Sequence, residues 1–136
     1  MEPIIVWYLR MSVFYFVAGA IVGVAMLIWP DEAGYYISVH AHLNLLGFMS
    51  MMIYGVGYHI LPKFSGRNIY SSLIVNIQFW FANAGLIGIA VSWPSVMRDL
   101  DASLQNNILI VSAFLSLASV ILFAFNMLKT IKAVKM

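Results

Sequence analysis

Three histidines are the residues best suited to chemistry in this chain, and all of them lie on one hydrophobic segment. His40 and His42 are two residues apart, and His59 follows about 25 Å further along a helix axis. Histidine is costly to place inside a membrane span, so each is a candidate for function. The chain has no cysteine, which excludes disulfides, thiolate metal sites and c-type haem attachment. A bound metal would therefore be held by histidine, asparagine or methionine.

The spacing of His40 and His42 predicts two separate ligands rather than one chelate. Positions two apart on an α-helix point about 200° away from each other. Both rings cannot easily reach one ion within a single chain, so the pair suits two different sites or one site shared with a neighbouring subunit. Neutral imidazole is the usual axial ligand of a buried haem. We therefore predict that His40 and His42 are metal ligands for haem iron.

Packing offers an alternative for each of these residues. Asn44 lies one turn after His40 and is in place to satisfy it by a hydrogen bond, in which case the histidine is a packing residue. Gly47 either allows close helix packing or leaves room for a flat macrocycle. His59, near Pro62, is expected to snorkel or to cap the following loop rather than to bind metal. The predicted cofactor-binding set is thus His40, His42, Asn44 and Gly47, with no catalytic residue.

The composition indicates a membrane protein. The 136 residues are 63% hydrophobic and 9% charged, whereas soluble domains contain about 25% charged residues. No cleavable signal peptide is predicted, because the first hydrophobic segment lacks a basic leader and a small-residue cleavage site. A net charge of +2 gives no indication of nucleic-acid binding, and the few positive charges instead look like topology signals.

Four hydrophobic segments each supply the about 20 residues that a membrane-spanning helix needs. We predict one domain, an all-α membrane protein built as a four-transmembrane-helix bundle. Pro62 and Pro94 are expected to end the second and third helices. Three serines at helical spacing on the fourth segment form a small-residue stripe suited to helix contacts, namely Ser112, Ser116 and Ser119. The predicted spans cover about 5–29, 34–61, 69–93 and 105–128.

The charges of the loops predict the orientation. Positive residues accumulate on the cytoplasmic side, and the turns at 31–32 and 98–101 are acidic on balance. We expect both termini to be cytoplasmic, in a bacterial or archaeal inner membrane. His40 and His42 then lie in the outer leaflet, where polar partners would come from Arg98, Tyr35 and Tyr36. The positive charges that support this orientation are Lys63, Arg67, Lys129, Lys132 and Lys135.

The segment 39–67, and above all its ending YHILPKFSGR, resembles the second helix of the catalytic subunit of haem–copper oxidases. The nitric oxide reductase branch is the most similar, together with related multi-span haem proteins associated with nitric oxide tolerance. In the oxidase family, twelve helices form three arcs of four, and the last arc presents a His-x-His whose imidazoles bind two different haems. The resemblance implies that this chain is like one arc, with haem b held by His40 of one subunit and His42 of the next.

This resemblance implies a small oligomeric cytochrome b, expected as a homotrimer that rebuilds a ring of twelve helices. Electron transfer is the expected work, with quinol or a respiratory complex as partner. The histidine motifs that hold copper in the family are absent from the sequence, which argues against a terminal reductase and leaves enzymatic activity open. Three alternatives remain: a haem-based sensor or scavenger of nitric oxide or oxygen, a cofactor-free accessory subunit of a respiratory complex, and a carrier of copper or another metal.

Overall fold

The computed structural model describes residues 2–99 and 102–131 and shows four long helices. All four are long and apolar enough to cross a membrane, and no strand occurs among the described residues. The predicted all-α membrane fold is therefore confirmed, whereas the orientation of the termini stays a prediction. Asp101, Lys132 and Lys135, which entered that prediction, lie outside the described residues. The helices are α1 (Pro3–Ile28), α2 (Ala33–Phe64), α3 (Ser72–Met97) and α4 (Ala102–Thr130).

The prolines do not end α2 and α3, so the prediction of these two boundaries was wrong. Pro62 lies inside α2, which continues to Phe64, and Pro94 lies inside α3, which continues to Met97. Each proline is within the last turns of its helix, where the missing N–H removes one backbone bond near the end of the ladder. The chain leaves α2 at Gly66, whose φ of 60° suits a residue without a side chain.

A wide turn interrupts the regular winding of α2. Residues Leu43–Ser50 form a π-helix, in which backbone bonds span five residues instead of four. The buried residues of this part of α2 are spaced four apart, at Val39, Leu43, Gly47 and Met51. In a straight α-helix each step of four overshoots a full turn by about 40°. The wider winding keeps these residues on one face of the helix.

The helices pack in chain order, with α2 between α1 and α3, and α4 mainly against α3. Glycine brings α3 and α4 close together, because a Cβ on Gly85 would lie 2.8 Å from the backbone oxygen of Ser112. Gly88 also faces Ser112, and Gly85 faces Ser116. Two serines of the predicted stripe thus form the contact with α3, as expected for helices that associate in lipid.

A buried polar cluster ties α1, α2 and α3 together near the His59 end of the bundle. The hydroxyl of Tyr58 donates to Gln78 Oε1 over 2.6 Å, and the hydroxyl of Tyr8 lies 2.9 Å from the same oxygen. All three side chains are almost fully buried. Side-chain hydrogen bonds of this kind hold helices in register where lipid provides no hydrophobic driving force.

Candidate functional site

His40 is seated against the backbone of α1. Its Nδ1 lies 2.8 Å from the carbonyl oxygen of Gly19. A Cβ on Gly23 would lie 2.9 Å from His40 Cε1 and 3.2 Å from Nδ1, but 3.8 Å from Nε2. The ring therefore rests by its Cε1–Nδ1 edge on a helix surface that glycine leaves bare. A carbonyl oxygen can only accept, so Nδ1 bears a hydrogen, and in the neutral imidazole Nε2 then keeps its lone pair.

His42 is held by its own helix on the other side of α2. Its Nδ1 lies 2.7 Å from the carbonyl oxygen of Ser38, and the Ser38 hydroxyl lies 3.2 Å from the same nitrogen. The ring is 6.1 Å from the indole of Trp93 on α3, with 36° between the two planes. The bond to the carbonyl again places the hydrogen on Nδ1 and leaves the Nε2 lone pair available.

The two histidines are thus prepared in the same way on opposite sides of α2. Within the part of the chain that the structure describes, neither Nε2 has a hydrogen-bond partner. Histidines that bind metal almost always donate their other ring N–H to a carbonyl, a carboxylate or water, which fixes the tautomer and the ring direction. His40 contacts α1 and His42 contacts α3, in agreement with the opposition predicted from their spacing. The residues present therefore fit an imidazole-ligated haem iron.

Asn44 does not satisfy the His40 ring, contrary to the alternative drawn from the sequence. Its Nδ2 donates to the backbone oxygen of His40 over 2.8 Å, and the amide packs on Gly19, where a Cβ would lie 2.6 Å from Nδ2. The spacing of four residues favours this bond, since a side-chain donor readily reaches the carbonyl one turn earlier. Asn44 thereby completes the glycine-lined seat of His40, and a role toward a cofactor stays a prediction.

Gly47 allows a close approach of α2 to both of its neighbours. A Cβ at this position would lie 2.6 Å from Tyr15 Cβ on α1 and 3.0 Å from Leu86 Cδ2 on α3. The space beside Gly47 is filled by these two side chains, which supports close packing. Its predicted contact with a cofactor is not tested by this arrangement.

A charged and aromatic cluster closes the bundle near His40. The guanidinium of Arg98 forms an ion pair with Glu32, lies 3.4 Å from the Tyr36 hydroxyl and sits 4.6 Å from the centre of the Tyr35 ring. Its hydrogen bonds to Tyr36 and Glu32 raise the pKa of Arg98, so the guanidinium keeps its positive charge. The structure thus brings together Arg98, Tyr35 and Tyr36, which the sequence proposed as polar partners on this side.

A cavity of about 300 Å³ lies between α1 and the start of α2, next to the His40 seat. Val22, which precedes Gly23 on α1, and Met26, less than one turn after Gly23, line it together with Glu32 and Tyr36. Two residues that contact the Arg98 guanidinium, Glu32 and Tyr36, thus line this cavity.

Sequence reasoning missed the residues that position the histidines. Gly19 and Gly23 belong to a Gly-x-x-x-Gly pattern, which is common at helix contacts and does not by itself point to histidine. No local pattern in the sequence links Trp93 to His42, and Glu32 stands out only as part of an acidic turn. His59 lies at the far end of α2, where Lys63 Nζ is 2.9 Å from its Nε2.

The fold and this site define a four-helix membrane bundle that presents two oriented imidazoles on opposite sides of one helix. Comparison with known proteins finds partial similarity to oxidase subunits. The chain is 39% identical over 62 residues to a cytochrome c oxidase subunit 1 homolog of Agrobacterium tumefaciens (strain T37), over 44% of this chain and 12% of that protein. It is 27% identical over 119 residues to the cbb3-type cytochrome c oxidase subunit CcoN1 of Stutzerimonas stutzeri, over 71% of this chain and 25% of that protein.

The chain thus spans a quarter or less of the length of these relatives. No family model matches it, and no solved structure matches it. The partial similarities agree with the predicted resemblance to haem–copper oxidases. They support a membrane role related to that of these oxidases.

Proposed function

We propose that this chain binds haem b in a bacterial inner membrane and transfers electrons. The observation that supports the proposal most directly is the state of the two imidazoles. In both His40 and His42, Nδ1 is bonded to a backbone carbonyl and Nε2 remains available. Two such rings on one helix of a cysteine-free, apolar chain are suited to axial ligation of haem iron.

The chain's own residues have three tasks in this proposal. Gly19 and Ser38 accept the Nδ1 hydrogens and so hold each Nε2 in a fixed direction. The apolar helices exclude water and raise the cost of a net charge on the iron, which adjusts its potential. Arg98, which contacts Glu32 and Tyr36 of the cavity lining, would meet the carboxylates of the macrocycle. When bound, haem would supply one-electron redox chemistry.

We further propose that each haem is ligated by two neighbouring copies. His40 contacts α1 and His42 contacts α3, so one haem would be held by His40 of one subunit and His42 of the next. Such a contact joins two different surfaces and closes into a ring. Three copies would give twelve helices.

Reduced-minus-oxidised absorption spectra test the proposal. We expect sharp bands of a low-spin b-type haem in the purified protein and their loss in both His40→Ala and His42→Ala. The matched control is His59→Ala on the same helix, which should keep the bands. Loss in only one variant would contradict ligation by both imidazoles. A preparation that stays colourless on titration with haem would refute the proposal and favour an accessory subunit without cofactor.

A further inference from the structure

The end of the bundle opposite His40 contains a second cavity that the haem proposal does not use. It measures about 550 Å³, which is within the range of small-molecule sites. It opens where α1 begins, α2 ends and α3 begins. Its polar lining consists of Glu2, Tyr58, His59, Lys63, Asn68 and Ser72.

Glu2 and Lys63 place opposite charges in this cavity without pairing with each other. Both side chains are exposed, and the only ion pair within residues 2–99 and 102–131 is the one between Arg98 and Glu32. Lys63 Nζ instead lies 2.9 Å from His59 Nε2. Lysine can only donate, so His59 accepts at Nε2 in this pair. The cavity thus holds one anion and one cation apart.

The position of the cavity matches the level of lipid headgroups. It lies at the ends of membrane-spanning helices, where the hydrocarbon core gives way to the polar interface. Two isoleucines, Ile5 and Ile69, complete its lining. Further into the span on α3, the exposed side chains of Leu73 and Ile77 are apolar. A lipid would therefore meet polar side chains at its headgroup and apolar side chains along its acyl chains.

We propose that this cavity binds the headgroup of a zwitterionic phospholipid with a primary ammonium, as in phosphatidylethanolamine. Lys63 would take the phosphate, because an ammonium is a strong point charge for phosphate oxygens. Glu2 would take the lipid ammonium, whose N–H groups donate to a carboxylate. A purely anionic headgroup would be repelled by Glu2, and a trimethylammonium headgroup has no N–H to donate.

The test uses purified, delipidated full-length protein in detergent, to which phosphatidylethanolamine, phosphatidylglycerol or phosphatidylcholine is added. Native mass spectrometry measures the retained lipid, and thermal unfolding measures stabilisation. We expect phosphatidylethanolamine to be retained best and to raise the melting temperature most. Lys63→Gln and Glu2→Gln should each weaken its retention about tenfold, as loss of one charge-assisted contact implies.

Lys129→Gln is the matched control, because Lys129 is exposed near the same end of the bundle but does not line the cavity. This variant should retain phosphatidylethanolamine as the unmodified protein does. Both exposed test positions can change without loss of core contacts, and circular dichroism verifies the fold. Equal retention of the three lipids, strongest retention of phosphatidylglycerol, or unchanged retention in the Lys63 and Glu2 variants would overturn the proposal.

Discussion

Co-expression of two single variants provides a quantitative test of how the two histidines are used. One copy contains His40→Ala and the other His42→Ala, each with its own affinity tag. In a ring with haem between His40 of one subunit and His42 of the next, an interface is intact only when both required rings are present. With equal and random mixing, about a quarter of all interfaces meet this condition. Oligomers of either variant alone have none.

The structure gives the reason why each half-site should survive loss of the other. The His40 ring is held by Gly19 on α1, and the His42 ring by Ser38 on its own helix. Neither hydrogen bond involves the other imidazole, so replacing one histidine leaves the tautomer and direction of the other unchanged. Each variant therefore still contributes one competent ligand.

The assay measures low-spin haem absorbance per subunit after purification through both tags, which removes unmixed oligomers. In a mixed trimer, one of the three interfaces has both ligands in the required order, whichever variant is in excess. The expected absorbance is thus about a third of that of the unmodified protein. Two differently tagged copies of His40→Ala serve as the control and should give none. Mixed trimers without absorbance would refute ligation between subunits, and full absorbance in either single variant would refute paired ligation.

Two further predictions concern the residues around the site and in the core. Gly23→Ala should lower haem affinity about tenfold in a haem titration, because the added Cβ pushes on the adjacent imidazole. Gly34→Ala is its control, since a Cβ there meets nothing within 4 Å. An equal loss of haem affinity in both variants would contradict the role of Gly23 in positioning the His40 ring. Tyr58→Phe should lower the free energy of unfolding by about 1 kcal/mol, because the 2.6 Å bond to Gln78 is lost. Denaturation in detergent measures the free energy of unfolding, with Tyr70→Phe at an exposed position as the control. If Tyr58→Phe were as stable as the unmodified protein, the buried hydrogen bond to Gln78 would not contribute to stability.

The broad features of the fold could be predicted from the sequence because they follow from composition and periodicity. Hydrophobic length predicts the four helices, and the angle between positions two apart predicts the opposed rings of His40 and His42. The helix ends could not be predicted in the same way. Pro62 removes one N–H and crowds the previous turn, but it lies within the last turns of α2, where only one backbone bond near the end of the ladder is lost. Helix α2 therefore continues past it.

The seat of His40 could not be predicted because it depends on which helices become neighbours. Gly19 lies on α1, 21 positions before His40, and no local pattern joins the two. The sequence instead offered Asn44, one turn away, as the nearest polar partner. The folded chain gives Asn44 a backbone partner and gives the imidazole the carbonyl of a different helix.

The π-helical turn at Leu43–Ser50 has a consequence for the comparison of this chain with its relatives. A stretch that winds more slowly holds more residues for the same rotation, so a helix can gain or lose a residue there while its two halves keep their faces. This stretch separates the part of α2 that bears His40 and His42 from the part that bears Tyr54 and Tyr58. A one-residue gap within an apolar helix in a sequence alignment usually suggests an alignment error. In α2 it would instead mark the place where insertion is structurally neutral.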